Sequence, residues 1–298
     1  MIQVSNMRER DSLHRFIIEN SRVRGELVHL DASWKAIVDR AEYPAIVKKQ
    51  LGDAVAAIAL LSATIKYKGK IILQIRGDGP LHLLVVQATS ENTVRGIARW
   101  QDEVPEGSLK DIFGQATMVI TIEPEVGEPY QGIIELKGDQ LSSGIEDYFQ
   151  QSEQLPTRLW LASDNDACAG LLLQELPGNS QSDNNSPDWE HHEHLAATIT
   201  DSELLTLRAK EILHRLYHEE DVRLFDSEIF SFRCGCSRER IESMLISLGY
   251  SEVKQTVEEE GKVAVDCEFC NAHYEYDAVD VEKLFASVNQ PEGPSTLQ

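Results

Sequence analysis

Hydrophobic and polar positions divide the chain into three regimes. Up to about Leu176 apolar residues come in short runs that suit the strands and helices of a shared core. They then thin out among charges to about residue 230, and become sparse in the C-terminal stretch. In the first regime an amphipathic stretch from Leu13 to Asn20 precedes Arg22–Val28, which reads as a turn into a strand. A helix is predicted to start near Ser33 and to carry Trp34, Ile37 and Val38. A second helix has Pro44 in its first turn. It runs through Ala54 to Ile65 with small and aliphatic residues nearly all round, so it belongs in the interior. Lys70–Arg76 and Leu81–Gln87 read as strands flanking the turn Gly77-Asp78-Gly79-Pro80. Further strands are predicted at Gly96–Trp100, Ala116–Glu123, Tyr130–Leu136, Thr157–Ala162 and Gly170–Leu176, with a helix at Leu141–Gln150. The class is α+β: residues 1–178 form an N-terminal domain of mostly antiparallel sheet packed with helices.

The second regime, residues 179–230, opens on a polar break, Gly178 to Asp188. It holds twelve acidic against four basic residues, a net charge of −8, and five of the nine histidines of the chain. Thr200-Asp201-Ser202-Glu203 is a capping-box pattern, and the helical stretch it opens gathers Leu205, Ile212, Leu213 and Leu216 on one side. Such a charge-dense linker must lean on a neighbour to stay helical. The His-rich run Trp189–His194 could bind a metal, but solvated histidines on an acidic helix are the commoner case, and the four thiolates make the better zinc site.

The third regime, 231–298, carries the chemistry. Cys234-Gly235-Cys236 is followed after thirty residues by Cys267-Glu268-Phe269-Cys270, so four of the five cysteines fall in one window of 37 residues. Two close pairs bracketing a small folded insert bring four sulfurs around one tetrahedral ion, and zinc suits soft thiolates. Ser237 reads as the N-cap of a helix with Ile241, Met244, Leu245 and Leu248 in helical register, ending at Gly249. A thiol at a helix N-terminus, near Arg233, Arg238 and Arg240, ionises easily. A hairpin-like stretch around Glu259–Lys262, a strand to Cys267 and a last helix from near Asp277, with Val281, Leu284 and Phe285, complete the module. Its core is small, so one zinc ion per chain, held by Cys234, Cys236, Cys267 and Cys270, is expected to supply much of its folding free energy. Each close pair also closes a loop too small to act as a structural staple and is suited to reversible disulfide formation. A permanent structural zinc and a redox switch both remain compatible with the residues.

Composition removes some functions. With 50 acidic and 28 basic residues the net charge is −22, which disfavours nucleic acid and anionic membrane surfaces. The polar, charged N-terminus from Met1 to Asp11 is not expected to act as a signal peptide, and the Ala54–Ile65 run is too short to span a bilayer. A reducing cytoplasm is therefore expected, where grouped cysteines mean metal or redox chemistry. Cys168 stands apart as a bystander thiol. No catalytic constellation is visible in residues 1–178: Glu146 and Asp147 read as a solvated helix face, and the Gly77–Pro80 glycines lack the pattern of a phosphate loop.

The cysteine set, on an acidic chain, resembles the bacterial redox-regulated chaperone family known as heat-shock protein 33. The likeness extends to Arg24-Gly25-Glu26-Leu27-Val28, Gly77-Asp78-Gly79-Pro80, Arg95-Gly96, Tyr130-Gln131-Gly132, Glu146-Asp147-Tyr148-Phe149 and Ser152–Thr157. It also takes in Arg215-Leu216-Tyr217-His218-Glu219-Glu220 and Cys236-Ser237-Arg238-Glu239-Arg240, so nearly the whole chain is covered. The four cysteines show no departure from the family pattern. Cys168 and the first several residues lie outside it.

The resemblance implies a holdase without ATPase activity, inactive while reduced and zinc-bound. Peroxide or hypochlorous acid, with heat or other unfolding stress, would form the disulfides Cys234–Cys236 and Cys267–Cys270 and release zinc. The module and the linker would then unfold, the protein would become a homodimer, and apolar surface would capture unfolding client proteins. Loss of zinc would also remove the neighbour on which the linker leucines pack. Two other readings stand beside this one: an enzyme domain with a permanent structural zinc module, and a zinc-ribbon nucleic-acid binder that the charge disfavours.

Overall fold

The structure is a computed structural model and describes residues 11–64, 68–177 and 187–288. Ile65, most of the predicted polar break and both chain ends lie outside these residues. The chain divides into two compact units, Met1–Arg233 and Cys234–Gln298.

The first unit begins with β1 (Ser12–Ile18), β2 (Val23–Leu30), α1 (Ala32–Val38) and α2 (Ala45–Thr64). β3 (Gly69–Gly77), β4 (Leu81–Thr89) and β5 (Thr93–Trp100) form a meander, followed by α3 (Leu109–Phe113), β6 (Ala116–Pro124) and β7 (Tyr130–Glu135). Then come α4 (Leu141–Tyr148), a π-helical turn over Phe149–Glu153, β8 (Thr157–Ser163) and β9 (Cys168–Glu175). The helices α5 (Pro187–Ala196), α6 (Asp201–Thr206) and α7 (Ala209–Tyr217) lead to the short strands β10 (Val222–Leu224), β11 (Glu228–Ile229) and β12 (Ser231–Phe232). One sheet has the order β10-β1-β2-β9-β8, with β11 also on β1, and the other the order β12-β5-β4-β3-β6-β7. Every pairing in them is antiparallel except β12 with β5.

α2 runs between the two sheets, touching β2, β8 and β9 of one and β3, β4 and β5 of the other. That position explains its sequence: a helix enclosed on opposite sides has no polar face to keep, and Ala54 to Leu61 are all fully buried. Gly52 sits where the helix comes nearest to β8; a β-carbon there would meet the Ser163 β-carbon at 2.5 Å. The Gly77–Pro80 segment is a turn, as predicted, with Asp78 Oδ1 accepting the Gln115 N–H at 2.6 Å. Glu146 is not the solvated carboxylate of the sequence reading. It accepts the Leu159 N–H at 2.9 Å and ties α4 to β8.

The outer face of the first sheet is also covered, and by the acidic segment. Trp189, Leu204, Ile212, Leu213, Leu216 and Tyr217 form a second core with Phe16, Ile18, Val23, Leu27, Leu171 and Leu173. β9 is consequently buried at every position, with α2 behind it and the helical layer in front. The neighbour that the linker leans on is therefore the sheet of the first unit. Leu204 points inward and Leu205 is half-buried. The predicted capping box forms, with Thr200 Oγ1 accepting the Glu203 N–H at 3.3 Å.

β2 carries a buried acid. Glu26, 1% exposed, lies opposite Arg15 on β1, and its Oε2 has no hydrogen-bond partner. Burial raises its pKa from 4.5 to about 7, against the pull of Arg24 and Arg15. The folded state thus holds this proton more tightly than the unfolded state. The stability it contributes is complete below pH 4.5 and is lost as pH rises through about 7. Glu26→Gln, which mimics the protonated acid, is expected to stabilise the protein at pH 8 by up to about 3 kcal/mol and hardly at all at pH 4. Denaturant midpoints at the two pH values check this, and an equal offset at both would contradict it.

The second unit has α8 (Arg238–Leu248), α9 (Tyr250–Glu260), the hairpin β13 (Val263–Asp266) with β14 (His273–Tyr276), and α10 (Ala278–Val288). Ser237 Oγ caps α8 through the Arg240 N–H at 3.4 Å, and Gly249, at φ +98°, ends it. The stretch before Gly261 is helix rather than the expected hairpin arm. The core is seven side chains: Leu245, Val253, Val257, Val263, Tyr276, Val281 and Phe285. Met244 and Leu248 face outward. So small a core needs help from a cross-link or a metal.

Candidate metal centre

Cys234 and Cys236 lie on the extended segment before α8, and Cys267 and Cys270 in the turn that joins β13 to β14. That turn is built by backbone bonds: the Cys267 N–H donates to Ala272 O (2.9 Å), and the Cys270 and Asn271 N–H groups donate to Cys267 O (3.3 and 2.7 Å). Asn271 takes the left-handed conformation, at φ +57°, that the reversal requires. On the other side, the Arg240 guanidinium donates to Gly235 O and holds the bend between the first two thiols. Arg238 lies over the Tyr276 ring, 4.4 Å from its centre, and the Tyr276 hydroxyl donates to Arg238 O at 3.3 Å. The hairpin and the start of α8 are thereby joined around the sulfurs.

All four sulfurs lie within 4.8 Å of one another, with Cys234 Sγ 3.5 Å from Cys267 Sγ and Cys236 Sγ 3.3 Å from Cys270 Sγ. Four thiolates bound at ~2.3 Å to one tetrahedral zinc sit about 3.8 Å apart, and the cluster matches that spacing. The four cysteines are free thiols. The Tyr274 hydroxyl donates to Cys236 Sγ at 3.3 Å and brings that thiol down to about 7, whereas burial pushes Cys270 up to about 12 and raises Cys267. Cys236 ionises more readily than Cys267 or Cys270, and a cation at the centre of the cluster would draw protons from the thiols. Cys168 lies apart on β9, wholly enclosed, with burial raising its pKa; it is chemically quiet.

Sequence spacing singled out the four thiols and the cap at Ser237. It did not single out Tyr274, because a tyrosine four residues beyond Cys270 announces itself only once β14 folds back along β13. In the His-rich run His191 and His194 are exposed, as expected, but His192 is buried. His191, His192 and Glu220 bring one donor atom each within 4.8 Å of the others, and burial moves the His192 imidazole below its ordinary range.

An α+β unit is followed by a small module gathered around four thiols that could together hold one metal ion. The family model of the Hsp33 protein matches residues 11–277. A 33 kDa chaperonin from Nitrosococcus oceani is 52% identical over 279 residues, covering 94% of this chain and 96% of its own length. One from Shewanella sp. (strain MR-4) is 47% identical over 278 residues, with 93% and 96% covered. The crystal structure of the 33 kDa chaperonin of Thermotoga maritima superposes with a TM-score of 0.82 at 21% identity, over 94% of this chain and all of that one, and so shares the fold. The chain belongs to the Hsp33 family of chaperones.

Proposed function

We propose that the protein is an ATP-independent holdase, switched on when oxidation and unfolding stress together dismantle the cysteine module. The observation that carries this reading is the pairing of a thiol-gathered module, poor in core, with a helical layer over an apolar sheet face. Cys234, Cys236, Cys267 and Cys270 are the ligands of one zinc ion in the reduced form. When bound, zinc holds the four sulfurs as thiolates and ties the hairpin to the start of α8. Hydrogen peroxide takes two electrons from each close pair. Two thiols and one peroxide give one disulfide and two waters, so forming Cys234–Cys236 and Cys267–Cys270 consumes two peroxides and removes every donor of the ion. The module then loses the main source of its folding free energy.

Residues 179–230 act as the metastable linker between the chaperone domain, residues 1–178, and the redox domain, 231–298. Its high charge gives it little stability of its own. Once it lifts, Phe16, Ile18, Val23, Leu27, Leu171 and Leu173 become an apolar platform for unfolding client proteins. The net charge of −22 keeps the opened form in solution. Dimerisation of the oxidised form covers part of this surface. The charge leaves no role for nucleic acid or anionic membrane. Among the described residues no helix is long and apolar enough to cross a membrane, and a cytoplasmic site of action fits the reduced resting state.

The test treats the reduced, zinc-loaded protein with peroxide at raised temperature and follows zinc release together with aggregation of a thermally unfolding client. Suppression of aggregation should rise as zinc leaves. A protein that gives up its zinc and gains no such activity would refute the switch.

A further inference from the structure

A second group of metal donors lies outside the cysteine module. His191 and His192 are consecutive on α5, and Glu220 sits in the turn after α7, 29 residues beyond His191. One donor atom from each lies within 4.8 Å of the other two. The imidazole Nε2 of His191 is 3.1 Å from Glu220 Oε1, and the two imidazole rings are 5.3 Å apart, edge to face. The Tyr217 hydroxyl donates to the His192 carbonyl at 3.1 Å, fixing α5 against α7 beside the cluster.

The observation that points to a ligand is His192 itself. Its residue is 3% exposed, yet its Nδ1 is enclosed with no hydrogen-bond partner. Buried polar atoms are almost always satisfied. With one of its ring nitrogens within 4.8 Å of a donor atom of His191 and of a Glu220 carboxylate oxygen, this enclosed imidazole makes a donor set, not merely an ion pair.

We infer that His191, His192 and Glu220 form a second site, for one divalent cation of the zinc class, which clips α5 to the turn after α7. Two imidazoles and a carboxylate suit zinc, cobalt or nickel rather than calcium or magnesium, and three protein donors leave the fourth position to water. Both clipped elements belong to the layer that seals the first sheet, so an ion here would hold that layer shut independently of the thiols. The site neither requires nor follows from the cysteine switch.

Cobalt distinguishes the two sites by colour. The metal-free, reduced full-length chain is titrated with Co²⁺. The tetrathiolate set gives intense near-ultraviolet thiolate-to-cobalt absorption that saturates at one equivalent. A second equivalent should then add visible d–d absorption with no further near-ultraviolet gain. His191→Ala and Glu220→Gln, at side chains that are 56% and 28% exposed and so tolerant of change, should each lose the second equivalent and keep the first. The Cys267→Ser, Cys270→Ser variant should do the converse, so failure at one site is told from failure at the other. Saturation of the wild type at one equivalent, or a second equivalent that persists when His191→Ala and Glu220→Gln are combined, would overturn the assignment.

Discussion

In the Cys267→Ser, Cys270→Ser variant, without heat or other unfolding stress, the thiolate-held zinc is expected to be lost and the second unit to unfold, while the first unit keeps its structure. The size of the effect follows from the core. Seven buried apolar side chains cannot order a module of this length unaided, whereas ligation by thiolates supplies on the order of 10–16 kcal/mol. Removing two of four donors takes away most of that. It also frees the turn at Cys267–Asn271, which aligns β13 with β14. Chelator-resistant zinc content and amide hydrogen exchange report the two halves of the expectation. α8 and α10 should lose protection, and β9, enclosed on both faces, should keep it. Unchanged chelator-resistant zinc, or full protection of α8 in the variant, would remove the cysteines from their assigned role.

The second large effect concerns the helical layer. Leu213→Ala combined with Leu216→Ala is expected to yield a chaperone that works without oxidant. Both side chains are buried against the sheet, and each truncation of this kind costs about 2–5 kcal/mol. The two sit on one face of one helix, so their effects will couple rather than add. The loss falls on docking of α5–α7, because the opposite face of the sheet keeps α2. Suppression of client aggregation by the reduced, zinc-loaded variant is the readout, with hydrogen exchange in α7 as a control. A variant whose α7 has lost protection but which stays idle until oxidised would show that the covered sheet face is not the client surface.

What could be read from the sequence depended on whether the signal was local. The all-round apolar run of α2, the meander around Gly77–Pro80, the Thr200 and Ser237 caps and the four thiols all announce themselves within a few residues. α3 is only five residues long, and its one sign was Ser108 followed by Asp111, which form a capping box. α9 buries just Val253 and Val257, too few to establish a period, so only the reversal at Gly261 shows in the sequence there. β1 showed as amphipathic without declaring itself a strand. The destination of the linker helices was hidden for a different reason. Their apolar face says that a partner exists, but the partner, β1, β2 and β9, lies up to some two hundred residues away in the chain, and no periodicity records it. The enclosure of His192 beside Glu220 is legible only after α5 and α7 have packed.

The three shortest strands give the chain an order of disassembly. β12 adds to β5 in one sheet, and β11 and β10 add to β1 in the other, so the few residues ahead of Cys234 fasten the rims of both. Under the proposed switch, a pull arriving along the chain from the thiol module would reach Phe232 first, then Ile229, then Leu224, and only afterwards α7. Each step of that unzipping bares a row of backbone donors and acceptors along β5 or β1, which is the kind of margin an extended foreign chain can join as an extra strand.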